Sequence, residues 1–159
     1  MKLGILREGK TPPDNRVPLT PEHCLEVQQK FRNVQVIVQT SHVRCFSDKE
    51  YLEKGIPVRE DISDCDVLLG VKEVLLNDLF PGKIYFFFSH TIKKQEYNRK
   101  LLQTILQKKI QLVDYEVLTN KNGFRIIGFG RFAGLVGAYN GIRALGLRRK
   151  IFDLKPAHQ

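Results

Sequence analysis

The sequence predicts an α/β fold: a Rossmann-like or flavodoxin-like three-layer domain with a mainly parallel sheet. Short apolar runs alternate with amphipathic stretches along most of the chain, which is typical of strands that alternate with helices. Several runs are continuously apolar, as in residues 66–71, and this favours strands that are covered on both faces. With 159 residues the chain suffices for one well-buried domain and is too short for two substantial ones.

The elements follow in order from these patterns. Strands are predicted over residues 2–6, 34–39, 66–71, 84–88 and 111–115. Thr20 before Pro21 reads as an N-cap followed by proline at the first helical position, which predicts a helix over residues 21–31. Residues 47–50 form a capping box that opens a short second helix. A third, amphipathic helix is predicted over residues 94–108, with one apolar face made of Tyr97, Leu101, Leu102, Ile105 and Leu106.

The carboxyl-terminal part is predicted to contain a hairpin and a glycine-rich helix. Asn122-Gly123 is a typical hairpin turn between two apolar runs. Residues 128–133 (GFGRFA) match the relaxed dinucleotide fingerprint, but too little chain follows them for the rest of a nucleotide-binding half-domain. We therefore interpret this segment as the start of a helix whose small residues, Gly134, Gly137 and Gly141, permit close approach of another helix.

Composition and charge exclude several classes of protein. The net charge is +9, but basic residues are interleaved with acidic ones and do not alternate with aromatic residues, so nucleic acid is not the expected partner. No apolar run is long enough to span a bilayer, and charges interrupt the amino terminus too early for a signal peptide. Cys24, Cys45 and Cys65 lack disulfide or metal-site spacing and are interpreted as small buried or half-buried residues. The cytoplasm is the predicted compartment.

Polar side chains follow four of the predicted strands. They are Arg16 after the first strand, Lys72 and Glu73 after residues 66–71, Ser89 and His90 after residues 84–88, and Glu116 after residues 111–115. Each of them alone has an ordinary structural explanation, such as a solvated charge or a capping histidine. Ligands of open parallel sheets bind beyond the carboxyl ends of the strands, so the joint placement predicts a site there.

These residue types suit the making or breaking of a C–N bond beside carboxylates. Arg16 can hold a carboxylate through two parallel hydrogen bonds. A desolvated Lys72 can act as a base, and His90 can exchange a proton with a developing hydroxyl or carbonyl oxygen. Glu73 and Glu116 would set the protonation states of these two cations. No residue pattern predicts a metal site.

Four motifs carry a resemblance to a known family. Residues 15–21 (NRVPLTP), 69–73 (LGVKE), 87–93 (FFSHTIK) and 112–116 (LVDYE) resemble the amino-terminal domain shared by alanine dehydrogenase, proton-translocating transhydrogenase and saccharopine dehydrogenase. The similarity covers nearly the whole chain. The third and fourth motifs, together with the glycine-rich segment, resemble the branch that contains lysine-ketoglutarate reductase and lysine-forming saccharopine dehydrogenase.

The resemblance implies a function and a domain organisation. Residues 1–132 would be a substrate-binding catalytic domain, and residues 133–159 an interdomain helix and linker leading to a Rossmann domain that binds NAD or NADP. Lys72 and His90 would be the acid–base pair, Arg16 would bind a substrate carboxylate, and Glu73 and Glu116 would tune the pair. The reaction would join lysine and 2-oxoglutarate into saccharopine or run in reverse, and this chain alone would be inactive.

Three other hypotheses about the function stay open at this point. A relative of alanine dehydrogenase would have the same fold and a smaller keto acid as its substrate. A stand-alone module that binds amino-acid metabolites would need no hydride donor. A basic nucleic-acid-binding domain is the least favoured. The partners expected are a small amino acid or keto acid, with neither nucleic acid nor membrane, and the small-residue helix suits a contact between subunits as well as one between domains.

Overall fold

The protein forms a six-stranded parallel sheet in the computed structural model, which describes residues 1–156. The strands are β1 (Lys2–Ile5), β2 (Gln35–Gln39), β3 (Val58–Arg59), β4 (Val67–Leu69), β5 (Ile84–Phe87) and β6 (Gln111–Asp114). Their order in the sheet is β3-β2-β1-β4-β5-β6, and all five neighbouring pairs are parallel. This is the doubly wound order of the Rossmann fold, so the predicted fold class is confirmed.

Residues 1–156 contain four α-helices, and capping side chains mark where the first two begin. They are α1 (Pro21–Lys30), α2 (Asp48–Glu53), α3 (Arg99–Gln107) and α4 (Gly130–Arg149). The Thr20 side chain accepts a hydrogen bond from the backbone of His23 and caps α1 as predicted. Ser47 and Glu50 form the predicted capping box of α2. Short 3-10 turns cover Leu76–Asp78, Thr91–Lys93, Glu96–Asn98 and Tyr115–Val117.

The sheet is covered on both faces by apolar clusters, which completes the three layers. Alternate residues of β2 point to opposite sides, because successive side chains of a strand alternate in direction. Val36 and Val38 pack with Cys24 of α1 and Tyr51 of α2. Ile37 belongs to the other cluster, which includes Leu101 and Ile105 of α3 together with residues of β4 and β5.

Several sequence predictions need correction. Residues 94–108 are not one helix: a 3-10 turn precedes α3, and of the predicted apolar face only Leu101 and Ile105 are buried, whereas Tyr97, Leu102 and Leu106 are exposed. The hairpin is reduced to a turn closed by a single antiparallel bridge between Thr119 and Arg125. Cys24 and Cys65 are buried as expected, but Cys45 is exposed in the loop after β2. The edge strand β3 was missed because it has two residues and no apolar run.

The chain divides into two compact units, Met1–Arg125 and Ile126–Gln159. The first contains the whole sheet. In the second, the segment after α4 folds back on that helix: the Tyr139 hydroxyl donates to the carbonyl of Lys155, and Arg143 donates to that of Leu154. Gly146 lies against the Phe152 ring, where a side chain on Gly146 would collide with it. The predicted boundary between residues 132 and 133 stays a prediction.

No helix within residues 1–156 combines the length and the apolarity needed to cross a bilayer.

Candidate active site

The strand order reverses direction between β1 and β4, and Glu8 bridges the two strands just beyond their carboxyl ends. Its carboxylate accepts hydrogen bonds from the backbone N–H groups of Val71 (2.7 Å) and Lys72 (2.8 Å). Burial raises the pKa of Glu8 even though these hydrogen bonds oppose the effect. Glu8 therefore fixes the peptide from which the Lys72 side chain projects. The sequence analysis missed Glu8, although a carboxylate soon after β1 belongs to the same sheet edge as the residues it selected.

Arg16 is paired with Asp14 on the loop that follows β1. Its Nε donates to Asp14 Oδ1 at 2.8 Å, and its Nη2 contacts Oδ2. The pair is open to solvent on the arginine side, because 41% of the Arg16 side chain is exposed. The hydrogen bond from Arg16 lowers the pKa of Asp14, and the nearby charge of Lys72 lowers it further. Lys72 thus faces the Asp14–Arg16 pair.

The Lys72 side chain is half-buried. The backbone N–H of Lys72 donates to Glu8, but within residues 1–156 the ammonium group forms neither a hydrogen bond nor a direct ion pair, and it acts on Asp14 through its charge alone. We refer to Glu8, Asp14, Arg16 and Lys72 as the Arg16 cluster. Its two cations, Arg16 and Lys72, lie near the carboxylates of Glu8 and Asp14, beyond the carboxyl ends of β1 and β4.

His90 lies beyond β5 and is hydrogen-bonded to Glu73, which follows β4. The distance from His90 Nδ1 to Glu73 Oε1 is 2.7 Å, and the other carboxylate oxygen accepts from the Lys10 ammonium at 2.7 Å. An ionised carboxylate can only accept, so Nδ1 carries the hydrogen and Nε2 is left to exchange a proton with a ligand. The backbone of His90 is left-handed, with φ of 54°, and its ring stacks on Phe88.

The protonation state of Glu73 follows from its partners. Burial acts to raise its pKa, but the hydrogen bonds from Lys10 and His90 outweigh burial, so the pKa lies below its ordinary value. Glu73 is therefore ionised at neutral pH and available to orient the imidazole. The contact between Glu73 and His90 brings together two residues that the sequence analysis had selected from different strands.

Glu116, in the turn after β6, lies next to the same histidine. One of its carboxylate oxygens pairs with Lys93 (3.3 Å) and Arg125 (3.0 Å), and the other is buried without a hydrogen-bond partner among the described residues. Burial opposes ionisation, yet the hydrogen bond from Lys93 and the charges of Lys93, His90 and Arg125 lower the pKa of Glu116. We refer to Lys10, Glu73, His90, Lys93, Glu116 and Arg125 as the His90 cluster.

A buried hydrogen-bond network connects the ends of β5 and β6. The Ser89 hydroxyl, which is fully buried, donates to Asp114 at 2.5 Å, and Asp114 also accepts from the backbone of Glu116 at 2.8 Å. Thr91 donates its backbone N–H to the Ser89 hydroxyl oxygen. The residues on both sides of His90 are thereby attached to the same carboxylate that holds Glu116.

All five residues selected from the sequence follow strands at one edge of the sheet. Glu73 and His90 are in direct contact, His90 acts electrostatically on Glu116, and Lys72 acts on the partner of Arg16. Their roles stay predictions. The additional members that were not predicted from the sequence are Glu8, Lys10, Asp14, Lys93, Asp114 and Arg125. Of these, Arg125 lies in a loop that does not directly follow a strand.

The carboxyl edge at β1 and β4 is a poor fit for the phosphates of a dinucleotide. Glu8 already accepts from the two backbone N–H groups there, and its carboxylate would repel a phosphate. In the fingerprint-like segment, α4 begins at Gly130, but residues 126–129 before it form no strand, whereas the dinucleotide fingerprint directly follows one. Within residues 1–156 no group of three or more His, Cys, Asp or Glu side chains has the arrangement of a metal site.

Fold and site together define a Rossmann-like domain with titratable side chains gathered at the carboxyl edge of its sheet. Its sequence matches the model of the alanine dehydrogenase/PNT amino-terminal domain over residues 4–136, and the chain belongs to that family. The predicted resemblance is confirmed.

Similar curated proteins include alpha-aminoadipic semialdehyde synthases and lysine-forming saccharopine dehydrogenases. The chain is 40% identical over 146 residues to bovine mitochondrial alpha-aminoadipic semialdehyde synthase, covering 92% of this chain and 16% of that protein. It is 31% identical over 140 residues to the saccharopine dehydrogenase [NAD(+), L-lysine-forming] of Schizosaccharomyces pombe, covering 84% of this chain and 37% of that protein. The chain thus spans well under half the length of these relatives.

Solved structures agree on the fold. An L-alanine dehydrogenase matches with a TM-score of 0.64 and 19% identity, covering 78% of this chain and 35% of that one. A transhydrogenase from Sinorhizobium meliloti matches with a TM-score of 0.61 and 17% identity, covering 74% of this chain and 35% of that one.

Proposed function

We propose that this chain is the substrate-binding, acid–base part of an NAD(P)-dependent oxidoreductase that acts on a C–N bond. The observation that carries the proposal is the 2.7 Å hydrogen bond between His90 and Glu73 at the carboxyl edge of the sheet, with Lys72 following β4 beside Arg16 and Asp14. Relatives named as dehydrogenases support the oxidoreductase class. Saccharopine is the proposed substrate or product, because the similar curated proteins include saccharopine dehydrogenases.

In this proposal Arg16 binds a substrate carboxylate. The guanidinium is partly exposed, and its present partner Asp14 shows the bidentate geometry that a carboxylate ligand would share. An ion pair at a partly exposed site contributes about 0–1 kcal/mol, so an incoming carboxylate can compete for the guanidinium at small cost.

Lys72 and His90 would move the protons. Joining an amine to a keto acid requires that the amine lose a proton and that the departing oxygen gain protons, and the reverse reaction needs the opposite transfers. His90 Nε2 is free for this exchange because Nδ1 is held by Glu73. Lys72 would serve as the second group, and Glu73 and Glu116 would favour the charged forms of their cationic neighbours. A bound nicotinamide would accept or supply the hydride.

A cavity of about 250 Å³ adjoins the Lys10–Glu73 pair and supports a substrate larger than alanine. Its walls include the apolar side chains of Val74, Leu75, Leu76 and Leu101. Such walls suit the methylene chain of lysine or saccharopine, whereas alanine has no group to fill them.

NAD or NADP is proposed to bind a part of the protein outside residues 1–159, which agrees with the poor fit at the β1–β4 edge. The chain alone is then expected to be inactive. Its proposed partner is a small amino-acid or keto-acid substrate rather than nucleic acid or a membrane, with α4 available for a contact between domains or subunits. The cytoplasmic location stays a prediction.

Turnover measurements test the proposal. The complete gene product that contains these residues is assayed with saccharopine and NAD⁺ or NADP⁺, with lysine, 2-oxoglutarate and the reduced cofactor, and with alanine. The chain of residues 1–159 is assayed in parallel. We expect saccharopine turnover by the complete product and none by the isolated chain.

Each other result points elsewhere. Turnover with alanine alone would replace saccharopine by a smaller substrate. Saturable binding of saccharopine without any turnover by the complete product would indicate a metabolite-binding module. Binding of an oligonucleotide in preference to all these metabolites would overturn the proposal, and turnover by the isolated chain would refute the external cofactor site.

A further inference from the structure

The loop that carries Arg16 (residues 8–20) has neither helix nor strand, yet it is held by hydrogen bonds on both sides of Arg16. The backbone N–H of Cys45 donates to the carbonyl of Asn15 at 2.7 Å. The Tyr51 hydroxyl donates to the carbonyl of Leu19 at 2.8 Å. Both donors come from the segment between β2 and the end of α2, which the site described above does not include.

Arg44 organises the segment that supplies these donors. Only 4% of its side chain is exposed. The guanidinium donates to the carbonyls of Gln39 (2.7 Å) and Phe46 (2.8 Å) and pairs with Asp48. These contacts hold the two ends of the loop of residues 39–48 to one side chain. It also lies 4.6 Å from the centre of the Tyr51 ring.

The two holding points therefore depend on one buried guanidinium. Cys45 is next to Arg44 in the chain, and the Tyr51 ring lies against its guanidinium. An arginine suits this place because its planar fork presents several donors in fixed directions, which a lysine ammonium does not. Burial raises the pKa of Tyr51, so its hydroxyl stays protonated and remains a donor at neutral pH.

We propose that Arg44, acting through Tyr51 and the Cys45 backbone, is a positioning residue that presets the Arg16 loop for binding a substrate carboxylate. The inference rests on the proposed function of Arg16. A preset loop loses less conformational freedom when the ligand binds, so the expected consequence is tighter binding rather than faster chemistry.

Tyr51→Phe is the sharpest test, because it removes the hydrogen bond to Leu19 and keeps the ring against Arg44. The KM and kcat for saccharopine are measured on the complete gene product at saturating oxidised cofactor. We expect KM to rise by about two- to tenfold, the range that one hydrogen bond represents, with kcat within about twofold of the starting protein. Arg44→Lys should raise KM more. Arg32→Lys is a matched control at an exposed position and should change neither constant.

A double-mutant cycle separates positioning from general loosening. In an Arg16→Met background Tyr51→Phe should no longer raise KM, because the group it positions is gone. A KM effect that persists there, or an equal fall in kcat, would overturn the inference, as would an unchanged KM in Tyr51→Phe. If Arg16→Met itself leaves KM unchanged, the proposed function of Arg16 fails instead. Thermal unfolding of each variant shows whether the fold is retained, and Tyr51→Phe keeps the test decisive if Arg44→Lys does not fold.

Discussion

The Arg16–Asp14 pair and the His90–Glu73 pair share one edge of the sheet but differ in how far their side chains are exposed to solvent. The Arg16 side chain is 41% exposed, and its carboxylate partner Asp14 is 15% exposed. His90 and Glu73 are 17% and 9% exposed. The first pair can be reached from outside, whereas the second is largely enclosed by protein.

This difference in exposure makes the two pairs suitable for different roles. A partly exposed pair can exchange its carboxylate for that of a ligand, because little stabilisation is lost when the original contact opens. An enclosed pair is costly to separate, since a buried charge without its partner is strongly destabilising. The exposed Arg16–Asp14 pair is therefore suited to binding, and the enclosed His90–Glu73 pair to holding an imidazole in one orientation while protons are exchanged.

The largest effect expected is on the proton-transfer groups. His90→Gln or Lys72→Met should lower kcat in the complete gene product by about 10²–10⁴-fold, because general acid–base groups contribute rate factors of that size. Steady-state kinetics measure the fall, and thermal unfolding verifies that the fold is kept. Two matched substitutions serve as controls: His23→Gln on the exposed side of α1, and Lys83→Met, which directly precedes β5 at the opposite sheet edge. Equal rates in the site variants and the controls would leave Lys72 and His90 with structural roles only.

A smaller effect is expected from the substitution of Arg16. Arg16→Met removes charge-assisted hydrogen bonds worth about 1.5–3 kcal/mol, so KM for the carboxylate substrate should rise by about ten- to a hundredfold while kcat falls less. The comparison of kcat and KM across Arg16→Met and His90→Gln tests the division between binding and proton transfer. If Arg16→Met lowered kcat as much as His90→Gln does, Arg16 could not be assigned to binding and His90 to proton transfer.

The main features of the site were predictable because of how parallel sheets deliver side chains. Once the apolar runs were recognised as parallel strands, the residues after them had to meet at one edge. Lys72, Glu73, His90 and Glu116 follow β4, β5 and β6 closely, and all of them lie at that edge. The start of α1 was predictable as well, because its capping signal, Thr20-Pro21, involves only neighbouring residues.

Contacts between distant residues were not predictable in this way. Lys10 reaches Glu73 across 63 positions, and Arg125 reaches Glu116 from a loop that the sequence had suggested to be a strand. The amphipathic pattern of residues 94–108 indicated one helix. Tyr97, however, lies in a 3-10 turn, and its side chain is exposed. Periodicity records which residues share a face of a helix and does not record where the helix begins when no capping side chain is present, as at α3.

The smallest effect expected distinguishes Glu8 from Glu73 by the sign of their contributions to stability. The pKa of Glu73 is lowered in the folded protein, so its contribution is present above the unfolded value of about 4.5 and is lost as the pH falls through the folded value. The pKa of Glu8 is raised, chiefly by burial, so its contribution is present below that unfolded value and is lost as the pH rises through the folded value.

Urea denaturation of the starting protein, Glu8→Gln and Glu73→Gln between pH 3 and pH 7 measures both signs, with the window set by the ordinary glutamate pKa of about 4.3. The difference in unfolding free energy between the starting protein and Glu73→Gln should grow as the pH rises from 3 to 5. The corresponding difference for Glu8→Gln should shrink as the pH rises above about 4.5. A difference for Glu73→Gln that shrinks as the pH rises would mean that Lys10 and His90 do not outweigh the burial of Glu73, and His90 would then lack the ionised carboxylate that orients it. A difference for Glu8→Gln that grows as the pH rises would mean that the hydrogen bonds from Val71 and Lys72 outweigh the burial of Glu8.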